Sequence, residues 1–274
     1  MRHVAFLGPS GTNTEEALLE LDLGEISPVS CLTIDDVFAA VDAGQAGLGI
    51  VPIENSIEGA VNATLDALAF DYDLHILAEH VRDVHFSLVV APGVGLADVT
   101  MVTSHPQGTA QSRRWLADNL PGRPIVAANS TAEAVQRAVS EPGVAAVGTT
   151  LAAGLYGGHS LAERIEDHEG NQTRFVVIGR GISEPTGDDK TSLALFMELN
   201  KPGALLMILS EFAYGQIDLT KIQSRPTKKQ LGEYMFFVDL KGHVTTPEVA
   251  LALDCLRLKL REVKLLGSFP AAKK

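Results

Sequence analysis

The sequence predicts an α/β protein: two similar lobes of alternating strands and helices, followed by a smaller ferredoxin-like βαββαβ domain. Three observations carry that expectation. The stretch "AFLGPSGTNTEEALLEL" reads as an apolar strand, a Gly11-Thr12 turn and a helix, and "TMVTSHPQGTAQSRRWL" repeats it 97 positions later with Gly108 and Thr109. "TIDDVFAAVDAGQAGLGIVP" from Thr33 is echoed by "TAEAVQRAVSEPGVAAVGTT" from Thr131, each a capping threonine, an amphipathic helix, a turn and an apolar strand. Val37 and Val135, like Val41 and Val139, share an offset of 98. The third observation is a change of character near residue 180. Residues 1–180 hold nine arginines, no lysine and 23 acidic residues, a balance of −14, whereas residues 181–274 hold 13 basic and 11 acidic residues, a balance of +2.

Taken in order, the first lobe is expected over residues 1–75 with a return through 160–180, and the second over 76–159. Val, Ile and Leu runs between helices point to mainly parallel sheets covered on both faces. "GRGISEPTGDDK" has no periodicity and supplies a linker at 181–189. In the remainder, 190–274, "TSLALFMEL" reads as a strand and "PGALLMILSEFAYG" as a helix with proline at its start. "IDLTKIQSRP" and "EYMFFVDLKG" read as strands, "TPEVALALDCLRLKLREVK" as a long amphipathic helix and "LLGSFP" as a last strand. A sheet of that order has open edges, so pairing with a second copy is expected to bury one.

Two hinged α/β lobes enclose a cleft. In such sheets ligands sit beyond the carboxyl ends of the strands, where helix N-termini offer N–H groups to an anion. Both Gly-Thr pairs are expected there, and two readings stay open for each: a ligand role, or glycine relieving backbone strain beside a threonine cap. Pro52, Glu54, Asn55, Ser56, Glu58 and Gly59 are expected in a loop after the strand "GLGIV", and Ser104, His105, Gln107 and Gln111 in another after "VTMVT". His105 reads first as a cap or a surface histidine.

Composition narrows the function class. An acidic first region argues against nucleic acid or an anionic membrane as partner. Cys31 and Cys255 have no partner spacing, and no apolar run approaches the ~20 residues of a membrane helix. A cytoplasmic setting is the expectation. His80 and His85 are five apart without a metal-binding pattern, so neither metal nor cofactor is expected.

"GNQTRFVVIG" sets Asn171, Gln172, Thr173 and Arg174 in front of an apolar strand that is expected to return the chain to the first lobe. In a region with so few basic residues, Arg174 either supplies positive charge to an anionic ligand or is an exposed edge residue.

Together, "FLGPSGT", "GLGIVPIENSIEG", "SHPQGTAQ" and "NQTRFVVIG" resemble the prephenate dehydratase family over nearly the whole chain. "NKPGALLMIL" and "LTKIQSRP" resemble its ACT regulatory domain, with Gln223 where glutamate is usual. The resemblance implies a two-lobed periplasmic-binding-protein-like catalytic region, then an ACT domain, and conversion of prephenate to phenylpyruvate without a cofactor. It implies Thr173 and Arg174 as catalytic residues, with Thr173 donating to the leaving hydroxyl and Arg174 either clamping a carboxylate or steadying Thr173. Thr12, Asn55, Ser56, Ser104 and Gln107 would line the substrate, and Phe175 would orient the strand by packing. L-phenylalanine, the effector, would bind near Gly203, Ala204, Leu205, Gln223, Ser224 and Arg225, between copies in a homodimer or homotetramer. Arogenate as substrate, or a binding module without turnover, are the alternatives. A transcriptional regulator is disfavoured because no basic helix-turn-helix segment is present.

Overall fold

The computed structural model describes residues 1–197, 202–229 and 233–272. Asn200 and Lys201 of the "NKPGALLMIL" motif, and Glu198 and Leu199 of the expected strand before it, lie outside the described residues.

The first lobe contains β1 (Arg2–Leu7), α1 (Asn13–Glu20), β2 (Ile26–Cys31), α2 (Ile34–Asp42), β3 (Leu48–Asn55), β4 (Gly59–Ala60), α3 (Asn62–Asp66) and β5 (His75–Asp83). The second contains β6 (Ser87–Val90), β7 (Met101–Ser104), α4 (Pro106–Gln111), α5 (Arg113–Asn119), β8 (Ile125–Ala127), α6 (Thr131–Ser140), β9 (Val144–Gly148), α7 (Thr150–Tyr156) and β10 (His159–Glu163). The chain returns through β11 (Gln172–Gly179) and continues into β12 (Asp189–Phe196), α8 (Ala204–Tyr214), β13 (Leu219–Pro226), β14 (Tyr234–Lys241), α9 (Pro247–Arg257) and β15 (Glu262–Pro270).

Two sheets organise these strands. One runs β13-β14-β12-β15-β5-β11-β3-β1-β2 with β4 beside β3, and the other β10-β6-β9-β7-β8. The β13-β14-β12-β15 portion is antiparallel, and with α8 and α9 it makes the expected βαββαβ unit. It joins the first lobe through one parallel pair, Gly267 with Ile76. Only glycine fits there, because a Cβ on Gly267 would run into the Ile76 carbonyl oxygen.

Several expectations need correction. The sheets are mixed, since β1, β2 and β3 run parallel but β11 lies antiparallel to both β3 and β5. Strand direction depends on long-range connection, which composition does not encode. β5 belongs to the first sheet and β10 to the second, so the chain passes between the sheets at 84–86 and 164–171, near the roughly placed lobe bounds at 76 and 160. β3 runs on through Asn55, because a bulge opposite Arg174 and Phe175 accommodates Pro52. Helix α6 is capped by Ser130, whose hydroxyl accepts from Glu133 N, leaving Thr131 as the first helical residue. Helix α8 starts at Ala204, after Gly203 at its N-cap, so Pro202 stands outside it. Helix α9 stops at Arg257, and the "EVK" expected inside it opens β15.

One apolar cluster holds the first lobe to the C-terminal unit. Val37, Phe38, Leu68, Val176 and Ile178 pack with Phe196, Phe237 and Phe269. The other face of the C-terminal sheet is covered by α8 and α9 through Ile208, Phe212, Leu253 and Leu256. Cys31 and Cys255 are unpaired and half-buried. Among the described residues no helix is long and apolar enough to cross a membrane.

Candidate active site

The cleft between the lobes holds a cavity of about 210 Å³ that Thr12, Asn13, His105, Gln107, Asn129 and Ser130 help to line. Three helix starts converge on it, those of α1, α4 and α6. At α1 the cap residue Thr12 makes no side-chain bond to the helix; its hydroxyl donates instead to Leu7 O at 3.0 Å. The first N–H groups of α1 therefore remain available to an anion, with the helix dipole favouring negative charge. Asn13 Oδ1 is buried there without a hydrogen-bond partner.

The two Gly-Thr pairs do not occupy equivalent places. Gly11 precedes α1 with φ +89°, whereas Gly108 and Thr109 lie inside α4, because Pro106 starts that helix two residues earlier. His105 is the cap, its Nδ1 taking Gln107 N at 3.3 Å. The lobes touch beside the cavity: Thr149 Oγ1 donates to Gly11 O and Tyr156 OH to Ser10 O, each at 2.7 Å.

Thr173 stands on β11 directly across from Asn55 on β3. Asn55 Nδ2 donates to Thr173 Oγ1 at 2.9 Å and also reaches Asn171 Oδ1 and Gln172 O. Asn55 Oδ1 accepts from the backbone N–H groups of Ile57 and Glu58. Asn171 Nδ2 donates to Gln111 Oε1 at 2.8 Å, which carries the network from the first lobe to α4 of the second. Thr173 and Asn55 are buried beside the segments that connect the lobes, outside the lining of the cavity.

The remaining predicted residues are placed as follows. Thr12 and Gln107 line the cavity. Ser56 fastens the start of β11, its hydroxyl donating to Gly170 O and accepting from Gln172 N. Ser104 lies outside the cavity lining: it is fully buried and donates to Val147 O at 2.7 Å. Phe175, grouped with the substrate residues, is a core side chain packed with Val4, Phe6 and Leu18, which fits only its strand-orienting role.

Arg174 is the largest correction. Adjacent strand residues point to opposite faces, so Arg174 faces away from Thr173. Its Nε bonds Glu79 Oε2 at 2.6 Å and its Nη1 bonds Asp239 Oδ2 at 2.5 Å. Burial opposes its charge, yet Asp239 and Glu79 outweigh that and hold the guanidinium above its ordinary pKa. It neither enters the cleft nor bonds Thr173.

In the C-terminal unit Gly203, Ala204 and Leu205 line a cavity of about 390 Å³ with Met197, Leu206, Leu209 and Phe236. Ser224 pairs directly with Phe236 on the neighbouring strand. Gln223 and Arg225 lie outside that lining, and Arg225 bonds Asp66 of the first lobe at 2.6 Å. Among the described residues no group of three His, Cys, Asp or Glu side chains is placed to hold a metal.

Sequence reasoning missed Asn13, Asn129, Ser130 and the bridging role of Asn171. Asn171 stood inside "GNQTR", but what it touches depends on Asn55 and Gln111, which are 116 and 60 positions away.

A family profile described as prephenate dehydratase matches residues 4–183. A prephenate dehydratase of Mycolicibacterium vanbaalenii is 43% identical, the match covering 98% of this chain and 91% of that one. The crystal structure of the prephenate dehydratase of Arthrobacter aurescens in complex with L-Phe is 37% identical with a TM-score of 0.90, covering 98% and 90%. GqqA, a quorum quenching acylase, is 30% identical with a TM-score of 0.88, covering 99% and 98%.

Proposed function

The chain belongs to the prephenate dehydratase family and is an enzyme of that activity, and from that premise we propose how its residues divide the work and how it is regulated. Prephenate loses its ring carboxylate as carbon dioxide while the ring hydroxyl departs as water. The C–C bond to the carboxylate supplies the electron pair that completes the aromatic ring. The C–O bond breaks, and one proton is taken up per turnover.

The hydroxyl of Thr173 is the donor to that leaving oxygen. The observation that carries this reading is the orientation of Asn55: its oxygen is committed to two backbone N–H groups, so its amide nitrogen must face Thr173. Thr173 Oγ1 thereby accepts a hydrogen bond and keeps its own O–H free to donate one to the leaving oxygen, the proton consumed per turnover coming from solvent through water. The start of α1 receives a carboxylate, taking the place that a basic side chain would fill. Closure over the substrate brings this cradle and Thr173 onto one molecule.

An acylase needs a nucleophile with a general base in reach. Among the described residues no histidine or carboxylate bonds the Thr173 hydroxyl, so Thr173 is not set up as such a nucleophile.

L-phenylalanine acts as a feedback effector in the cavity beside Gly203, within an ACT domain formed by the C-terminal unit. Homodimers or homotetramers complete that site. An apolar cavity at a βαββαβ unit and the L-Phe complex of the Arthrobacter relative support this.

The test is purified protein with prephenate or arogenate, with and without L-phenylalanine. Phenylpyruvate formed faster than the arogenate product, and suppressed by L-phenylalanine, supports the reading; faster arogenate turnover, or indifference to L-phenylalanine, rejects the corresponding part.

A further inference from the structure

Arg174 lies outside the cavity lining, and its surroundings point to a part of a different kind. Glu79 belongs to the first lobe and Asp239 to the C-terminal unit, so one guanidinium is shared between the two regions. Asp239 is oriented by Ser192 Oγ at 2.6 Å, while the fully buried Glu79 carboxylate also takes Lys190 Nζ at 2.7 Å and Ala272 N at 2.8 Å. Lys221 with Glu54 at 3.0 Å, and Arg225 with Asp66, cross the same seam. The charges nearest Arg174 are thus Glu54, Glu79 and Asp239, balanced by Lys190 and Lys221.

A second arrangement lies close at hand. Glu54 stands across from Arg174 on β3, its Oε2 only 3.9 Å from Nη1 and just beyond hydrogen-bond reach. Arg174 Nη2 is buried with no partner, so the guanidinium has a donor to spare. Stranding the buried guanidinium is strongly unfavourable, so a small shift of the C-terminal sheet that stretches the Asp239 bond would draw Arg174 toward Glu54, leaving Asp239 to the Ser192 hydroxyl. Glu54 and Arg174 immediately precede or follow the residues that set the site: Asn55 comes after Glu54, and Thr173 before Arg174. A change of partner at this point moves both strand ends.

We propose that Arg174 is the coupling residue between the two regions, carrying effector binding in the C-terminal unit to Thr173 through its bond to Asp239. This rests on regulation by L-phenylalanine and adds the route.

The test uses the full chain. Asp239→Asn keeps the shape and the Ser192 contact and removes the charge. L-phenylalanine binding, measured by calorimetry, stays near the wild-type value, whereas its concentration for half-inhibition of phenylpyruvate formation rises about tenfold or more. Ser192→Ala, which keeps every charge and only frees Asp239 to turn, shifts inhibition the same way to a smaller extent and serves if Asp239→Asn does not fold. Asp218→Asn, which breaks an exposed pair with Lys241 inside the C-terminal unit, leaves inhibition unchanged. An inhibited wild type with equally inhibited Asp239→Asn and Ser192→Ala variants overturns this inference alone. A wild type that turns over yet ignores L-phenylalanine overturns it together with the regulatory reading.

Discussion

Asn55 and Thr173 face each other across β3 and β11, and the amide of one donates to the hydroxyl of the other at 2.9 Å. The direction of that bond follows from the turn after Asn55, which takes its side-chain oxygen. A hydroxyl held as an acceptor is oriented and still able to donate. On the proposed role of Thr173, that is how a weakly acidic side chain would be aimed at a leaving group without a base beside it.

Thr173→Ala is therefore expected to lower kcat by about 100-fold or more, the usual range for a lost donor to an oxygen that develops charge, while Thr173→Ser keeps most of it. Asn55→Asp is the sharper variant. Its carboxylate would accept the Thr173 proton instead of donating to the hydroxyl, so kcat should fall although the turn at Ile57 and Glu58 survives. Steady-state phenylpyruvate formation measures all three, and an active Asn55→Asp enzyme would remove the donor role from Thr173.

Gly11→Ala addresses the contact between the lobes. Gly11 has φ +89°, and a Cβ there would stand 2.9 Å from Ala152 Cα in the other lobe. The left-handed conformation alone costs a non-glycine residue about 1–2 kcal/mol, which corresponds to roughly a five- to thirty-fold change in an equilibrium. If the strain is relieved by opening the cleft, KM for prephenate rises by about that factor and kcat changes less. A lowered melting temperature with unchanged KM would show that the fold bears the strain and the cleft does not depend on this contact.

The strand-turn-helix echo and the capping box at Thr33 were legible because they are local: Thr33 takes Asp36 N, and Asp36 returns a bond to Thr33 N. The motif context led to Thr12 and Gln107, which line the cavity, whereas Asn55 was expected there too and instead lies outside that lining against Thr173. What the sequence hid depends on distant partners. Arg174 read as a free positive charge because Glu79 and Asp239 lie 95 and 65 positions away. Ser104 read as a site residue because nothing near it in sequence announces Val147 as its acceptor. Pro52 read as the end of a strand, since a bulge is visible only once the partner strand is in place.

The linker offers a stability test against pH. Asp189 accepts from Thr186 N and Gly187 N, each at 2.9 Å, and from Thr186 Oγ1 at 2.7 Å. Burial opposes its charge, but these donors prevail and hold its pKa below the ordinary 3.8. A depressed carboxylate pKa gives stability that is complete above the unfolded value and lost as pH falls through the folded one. Asp189→Asn should cost about 2 kcal/mol at neutral pH, from hydrogen bonds to a charged group. The gap between variant and wild type should narrow below pH 3.8. Denaturant melts at neutral and acid pH check this, and a gap independent of pH would remove the charge from the account.

The cavity beside Gly203 makes the last prediction. At about 390 Å³, walled by Met197, Leu205, Leu206, Leu209 and Phe236, it is larger than the ~150 Å³ apolar space that suffices to bind benzene. A phenyl ring fits, and the open side leaves the ammonium and carboxylate of an amino acid to polar groups such as Ser224, which lies across from Phe236. Leu209→Trp places an indole in that space. Because Leu209 lies on α8, far in sequence from Thr173 and on the helix-covered side of the C-terminal sheet, the substitution should weaken L-phenylalanine inhibition about tenfold or more. Calorimetry would show binding weakened in parallel, unlike the behaviour expected of Asp239→Asn, where binding persists and its consequence is lost. The two variants thus separate occupation of the effector site from transmission of its effect. Full inhibition of a folded Leu209→Trp enzyme at wild-type L-phenylalanine concentrations would move the effector out of this cavity.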